Sequence, residues 1–189
     1  MKLSENEVKE ILDQNSKQID SIEKMALNLY AIHNIRYWYS HLLNFPVSQN
    51  LLQDMMQIEA YTTSISIAYG RLFGEGKGNA TQIERKNLPD EYLHIHDEII
   101  NLRHGRYAHH GNDPSIRKSV PVTYDGKFKI GLEMEIGFYI GAPKAWEPLF
   151  AWLDDYMYKT LYKKIHSLSK KTGHEWEMES GPVPKWIEP

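Results

Sequence analysis

Apolar residues at helical spacing dominate this sequence and limit the folds that are open to it. From about Ser4 to Leu43 they recur at three- and four-residue steps, which predicts one long helix. Ser4 and Glu7 have the spacing of a capping box at its start, and Pro46 lies just beyond its end. At about 1.5 Å per residue, such a helix projects beyond a small domain unless it bends or packs against a second copy.

Three further helices follow in the predicted fold. The second runs from Ser48, as its N-cap, to about Phe73, the third opens at Pro89, and the fourth runs from Pro143 to about Ser169. The third helix ends in a polar, cationic stretch before the breaker run at 111–114. Its apolar side is expected to lie in the core, with the polar end at the core's edge.

Residues 119–142 change to alternating apolar and polar side chains around Asp125-Gly126, which predicts a β-hairpin with a type I′ turn. The sequence therefore predicts an all-α fold, a four- to five-helix bundle with a β-hairpin inserted before the last long helix. We expect one domain over residues 1–171 and an extended tail over 172–189, with Trp176 or Trp186 held against the body or a partner.

Composition excludes several classes of protein. Without cysteine there is no disulfide or thiolate metal site, which suits a reducing cytoplasm. The first residues do not have the pattern of a signal peptide, and no apolar run approaches the roughly 20 residues that span a bilayer. The formal net charge of −3 argues against nonspecific nucleic-acid binding through an overall positive charge. We therefore expect a cytoplasmic protein without a membrane partner.

Arg103, His104 and His109 form the candidate catalytic group. Arginine is a permanent forked cation that suits a phosphate, and histidine takes or gives a proton near neutral pH. Together they are sufficient for metal-free RNA cleavage, in which the neighbouring 2′-hydroxyl is the nucleophile. On an ideal helix Arg103 and His109 lie about 120° apart around the axis. They converge only if the helix unwinds near Gly105 or if they act across a dimer interface.

Structural explanations compete with this one. Arg103 can cap the helix C-terminus while His109 makes a structural hydrogen bond. A zinc site built from His94, His96, His109 and His110 is disfavoured, because positions two apart on a helix point away from each other. We accordingly expect neither a metal nor another cofactor. Glu133 and Glu135 share one strand face that alternation predicts to be exposed, and His33 is expected to be hydrogen-bonded at a core or interface position.

The segment from Asn101 to His109 resembles the signature of the HEPN superfamily (higher eukaryotes and prokaryotes nucleotide-binding domains). That signature is an arginine, a polar residue and, within four to six positions, a histidine that often follows alanine. Here Arg103, His104 and His109 match it, with Ala108 before the histidine. The signature lies late in the third helix of a four- to five-helix bundle, so the resemblance extends in architecture over residues 5–168. It is greatest to the branch linked to abortive phage infection, and the hairpin is not part of the minimal pattern.

The resemblance implies a homodimer in which both motifs share a cleft. Active members are metal-independent endoribonucleases, often toxins paired with an antitoxin protein or effectors of phage defence. By transfer, Arg103 would stabilise the phosphate, His104 would orient it and His109 would be the acid/base. We add Arg106 and His110, outside the signature, as substrate-binding residues for RNA. Because many relatives are inactive, a non-catalytic dimerisation or interaction module and a nucleotide-binding protein remain alternatives.

Overall fold

A computed structural model describes residues 3–73, 82–107, 116–131, 133–136 and 142–178. Within these ranges the chain is mostly helical, with the five helices α1 (Glu5–Gln14), α2 (Ser16–Leu43), α3 (Leu51–Phe73), α4 (Asp90–Leu102) and α5 (Glu147–Thr172). Short 3₁₀ turns at Arg85–Asn87 and Lys144–Trp146 precede α4 and α5, and a π-helical turn at Arg103–Tyr107 follows α4. The predicted helical fold with a hairpin before the last helix is confirmed at this level. None of the helices in these ranges carries an apolar stretch of membrane-spanning length.

The prediction of one continuous helix from Ser4 to Leu43 is wrong, because the helix is interrupted at Asn15. Its backbone leaves helical geometry (φ −113°, ψ 10°), and its side-chain Nδ2 donates to the Ile11 carbonyl oxygen at 2.7 Å. Asparagine competes with the helix in this way because its short polar side chain can satisfy nearby backbone groups. The capping box is confirmed, since the Ser4 N–H donates to Glu7 Oε2 at 2.8 Å and the Glu7 N–H to Ser4 Oγ at 3.4 Å.

The second helix starts later than predicted, and its cap is Asn50 rather than Ser48. Asn50 Oδ1 accepts the Gln53 N–H at 3.2 Å. Ser48 instead donates through its backbone N–H and its Oγ to the two carboxylate oxygens of Asp54, both at 2.7 Å. Asp54 is buried, so these two bonds satisfy a carboxylate that would otherwise be costly to bury.

Side-chain contacts show the relative directions of the helices. Ser21 of α2 bonds Lys164 of α5, and Arg36 of α2 pairs with Asp154 at 2.9 Å, so α2 and α5 are antiparallel. His33 lies between these pairs and is hydrogen-bonded to the Tyr158 hydroxyl at 3.1 Å, which confirms the expectation of a bonded interface histidine. The helices therefore pack side by side with adjoining faces buried.

The core lies between α2, α3 and α5, with α4 closing one side. An aromatic cluster lies at the end of the core near the start of α5, where the rings of Tyr39, Tyr69 and Trp146 lie 5.2, 6.2 and 6.2 Å from the Phe150 ring centroid. Tyr69 and Trp146 are fully buried. By contrast, α1 contributes no buried residue. The apolar stripes of the three long helices thus meet around one aromatic cluster.

The hairpin consists of two nested antiparallel pairs, β1 (Ile116–Ser119) with β4 (Glu133–Ile136) and β2 (Val122–Tyr124) with β3 (Phe128–Ile130). The prediction of a type I′ turn is wrong. Three residues, Asp125 to Lys127, join β2 to β3, and only Gly126 among them has a positive φ, of 70°. A type I′ turn needs positive φ at both central residues, which Asp125 does not have. The apolar side chains of β2 and β3 remain exposed.

The last helix and the tail that follows it are joined by a tight turn. Gly173 adopts the left-handed conformation (φ 70°) that ends α5 and reverses the chain. The Trp176 backbone N–H then donates to Ser169 Oγ at 3.1 Å, and its indole Nε1 donates to Thr172 Oγ1 at 2.8 Å. Trp176 is thus held against the body of the same chain, as predicted for one of the two tail tryptophans. Trp186 lies outside the described residues.

His96 makes the α3–α4 contact sensitive to pH. The side chain is buried, its Nδ1 lies 2.9 Å from the Tyr69 hydroxyl, and its ring packs edge-on to Phe73. Burial lowers the pKa of His96 below 6.5, an effect that Asp97 opposes and Arg85 reinforces. The folded state therefore holds the neutral imidazole, while the unfolded chain binds a proton near pH 6.5. The stabilisation is complete above the unfolded pKa and is lost as the pH falls from that value through the lower folded pKa.

We expect the free energy of unfolding to fall between pH about 7.5 and about 5.5, measured by urea denaturation at each pH. His96→Asn keeps an acceptor near the Tyr69 hydroxyl without a titrating ring. The free energy of unfolding of this variant is therefore expected to change less with pH across this range. An equal pH dependence in the two proteins would exclude His96 as the cause.

Candidate functional site

The polar end of the third predicted helix is a π-helical turn, Arg103–Tyr107, in which backbone bonds join residues five apart. Such wide turns change the angular spacing of the side chains that follow, so the 120° separation calculated for an ideal helix does not apply across this segment. Gly105 lies in its middle, and no other segment of the described residues comes within 4 Å of the position of a Cβ there. The irregularity anticipated near Gly105 is therefore present. Ala108, His109 and His110 lie outside the described residues, so whether His109 approaches Arg103 stays a prediction.

Arg103 lies directly against the backbone of α3. A Cβ built on Gly70 would overlap Cδ and Nε of Arg103 and would stand 3.2 Å from its Cζ. Gly70 is buried in the last turn of α3, and glycine within a helix normally destabilises it relative to alanine. The missing side chain thus makes the space through which the Arg103 side chain passes.

The space left by the missing side chain of Gly70 is here called the Gly70 notch. The Arg103 guanidinium points from this notch towards His104. Its Nη1 lies 3.4 Å from both ring nitrogens of His104, whose side chain is exposed. Within the described ranges, the Arg103 Nε is buried without a hydrogen-bond partner, and no carboxylate forms an ion pair with this arginine. A permanent positive charge beside an exposed imidazole, with no neutralising acid among these residues, is suited to binding an anion such as a phosphate.

Arg106 also contacts α3, at Glu59. Its Nε donates to Glu59 Oε1 at 2.6 Å, and only 4% of its side chain is exposed. Its Cζ stands 5.7 Å from the ring centroid of Tyr107. Arg106 therefore anchors the π-helical turn to α3, and contact with a substrate, predicted from the sequence, would require this ion pair to open.

Tyr107 adds a neutral group to the same contact. Burial, followed by the neighbouring charge of Glu59, raises the pKa of Tyr107 well above its usual value. The phenol is therefore protonated at any physiological pH. It packs beside Arg106 and contributes no charge to the turn.

The alternative zinc site loses one of its candidate ligands to the core, because His96 is buried against Tyr69. His94, two positions earlier, is exposed on the other side of α4. No group of three or more histidine, aspartate or glutamate side chains that could hold a metal ion occurs within the ranges given above.

Two residues that shape this site were missed by the sequence interpretation. Gly70 carried a usable signal, since an isolated glycine within a helical pattern often marks a close approach by another segment. Glu59 carried none, because a glutamate on a polar helix position gives no indication of a partner 47 residues away. Arg103 and His104 were identified from their charge at the helix end, and the structure brings these two together.

Comparison with known proteins gives no relative on which to base an assignment. No protein-family model matches the sequence, and neither curated proteins nor solved structures give a significant match.

Proposed function

We propose that the chain is a HEPN-like, metal-independent endoribonuclease that works as a homodimer in the cytoplasm. In this proposal α2 to α5 correspond to the helical bundle of that superfamily, and the hairpin is a local addition. The observation that carries the proposal is the Arg103 guanidinium, which leaves the Gly70 notch beside the exposed His104 with no carboxylate partner in the described chain.

The chemistry assigned to these residues is transfer of the phosphoryl group to the neighbouring 2′-hydroxyl. His109 takes the proton of that hydroxyl, the 2′-oxygen attacks phosphorus, and the bond to the 5′-oxygen breaks. The leaving oxygen takes a proton from water, which yields a 2′,3′-cyclic phosphate and a 5′-hydroxyl. Arg103 stabilises the negative charge that develops on the nonbridging oxygens, and His104 orients the phosphate. Arg106 holds the turn in place through Glu59, and His110 is assigned to contact with the RNA.

A role as toxin or phage-defence effector follows from the same resemblance, with an antitoxin protein as the partner that would restrain it. The second candidate function is a non-catalytic helical interaction module. The Arg106–Glu59 ion pair favours this second function, because it gives a structural role to a residue that the sequence predicted to bind the substrate.

Cleavage of RNA in the presence of a chelator discriminates between the two. We expect the wild-type protein with EDTA to convert an end-labelled single-stranded RNA into fragments with cyclic phosphate ends, and His109→Ala to remove this activity. His94→Ala changes an exposed histidine of α4 and is expected to retain it. In cells, expression should arrest growth, and His109→Ala should relieve the arrest.

Absence of cleavage with normal growth would favour the interaction module. Cleavage that persists undiminished in His109→Ala would show that His109 is not the acid/base and would refute the assignment.

A further inference from the structure

The C-terminal half of α5 carries the strongest concentration of positive charge outside the candidate site. From Lys159 to His174 the sequence has five lysines and two histidines without an aspartate or glutamate. Only Lys170 and Lys171 belong to the last turn, where cations complement the helix dipole. The dipole therefore accounts for part of this charge, and the rest extends about three turns back along the helix.

Neutral partners leave much of this charge uncompensated. Lys164 Nζ donates to Ser21 Oγ at 2.6 Å, and Lys171 Nζ donates to Gln18 Oε1 at 2.9 Å. Both bonds tie α5 to α2 without cancelling a charge. Lys159, which lies 2.5 Å from Asp155, does pair with an acid.

A groove opens along this basic half of the helix. Tyr162, His166 and Lys170 are exposed and lie four residues apart, so they follow one face of α5. The turn at Gly173 brings the tail back beside that face, and the bonds from Trp176 to Ser169 and Thr172 hold it there. The resulting groove, of about 660 Å³, is lined on the tail side by His174, Glu175 and Trp176.

We propose that this groove, here called the α5 groove (Tyr162, His166, Lys170, His174 and Trp176), binds single-stranded RNA. Charge complementarity is the reason, since Lys170 and the imidazole N–H groups of His166 and His174 suit backbone phosphates. Tyr162 is exposed, and a base can stack on its ring. Glu175 repels phosphates on the tail side, so the backbone follows the α5 wall.

The inference rests on the proposed function, because it assigns a second binding surface to the same RNA substrate. The groove is remote from the candidate site. The Trp146 indole Nε1 lies 3.3 Å from Glu98 Oε2, so the C-terminal end of α4 is beside the start of α5. Tyr162 is 16 residues farther along the chain, about 24 Å at the helical rise. The groove therefore holds RNA and takes no part in the chemistry.

Binding of a 2′-O-methyl single strand of about 16 nucleotides, which lacks the nucleophile, tests the groove on the intact chain. Measured by fluorescence anisotropy, Tyr162→Ala is expected to raise Kd about 10-fold. The double variant Lys170→Ala/His174→Ala should weaken binding and make the slope of log Kd against log salt shallower by about 0.7 for each phosphate that the protein no longer neutralises. Lys9→Ala removes an exposed lysine from α1 as the matched control, with Kd and slope unchanged.

The outcomes separate the groove from the nuclease. A wild-type Kd in both groove variants would refute RNA binding by the α5 groove. Continued cleavage by the same variants would leave the proposed nuclease function intact. RNA binding that depends on the groove, with no cleavage by the wild-type protein, would sustain the groove and refute the nuclease. If anionic vesicles or an acidic peptide bind the groove while the RNA strand does not, the RNA proposal is wrong. Where cleavage occurs, the groove variants should raise KM and leave kcat unchanged.

Discussion

Glu59→Ala is expected to lower the free energy of unfolding by about 3 kcal/mol. The change removes the carboxylate that lies 2.6 Å from the Arg106 Nε and leaves the guanidinium in a place where only 4% of its side chain is exposed. A buried charge without its partner costs far more than the ion pair contributes when intact, because the charge cannot regain its hydration. Urea denaturation of both proteins at pH about 7.5 measures the difference.

Asp97→Ala is the matched control, because it removes the partner of a second arginine in an exposed pair. Asp97 accepts two bonds from Arg85, at 2.8 and 3.1 Å, but the two side chains are 50% and 53% exposed. This loss is expected to cost less than about 1 kcal/mol. The double variant Glu59→Ala/Arg106→Met should recover part of the Glu59 loss, since no buried charge remains. Equal costs for Glu59→Ala and Asp97→Ala would show that Arg106 does not anchor the turn through this ion pair.

Periodicity predicted the helical regions because burial of one helix face repeats along the chain and is therefore visible locally. It missed the break at Asn15 because Ile11, Leu12 and Ile19 continue the apolar pattern across it. What ends α1 is the bond from the Asn15 side chain to a backbone carbonyl, which leaves the phase of the apolar stripe unchanged. The pattern reports which face is buried and is insensitive to a local interruption of the backbone.

The candidate site was predictable only as far as it is local. Arg103 and His104 are adjacent in sequence, and a polar helix end places them together in any helical fold. The partners that fix the geometry come from α3, where Gly70 makes room for Arg103 and Glu59 binds Arg106. Those contacts depend on how α3 packs against the π-helical turn, which a single sequence does not reveal.

Gly70→Ala is expected to reduce RNA cleavage about 100-fold, because the new Cβ would occupy the space of Cδ and Nε of Arg103. The side chain must then leave its notch, and a displacement of about 1 Å at a phosphate-binding group is enough for a loss of this size. Single-turnover cleavage with saturating protein measures it. The same change in an ordinary helix interior stabilises a protein by about 1 kcal/mol, whereas here we expect no gain or a loss.

A double-mutant cycle with Arg103→Ala tests the notch without reference to RNA. Once the arginine side chain is gone, Gly70→Ala should show its ordinary helix stabilisation, so the coupling between the two positions is expected to be about 1–2 kcal/mol. Gly105→Ala is the control for a glycine without a close neighbour, since no other segment of the described chain lies within 4 Å of the position of its Cβ. If Gly70→Ala stabilises the protein equally whether or not Arg103 is present, Arg103 does not occupy the notch. If the coupling is found but no variant changes RNA cleavage, Arg103 does occupy the Gly70 notch, and its proposed role in binding a phosphate is wrong.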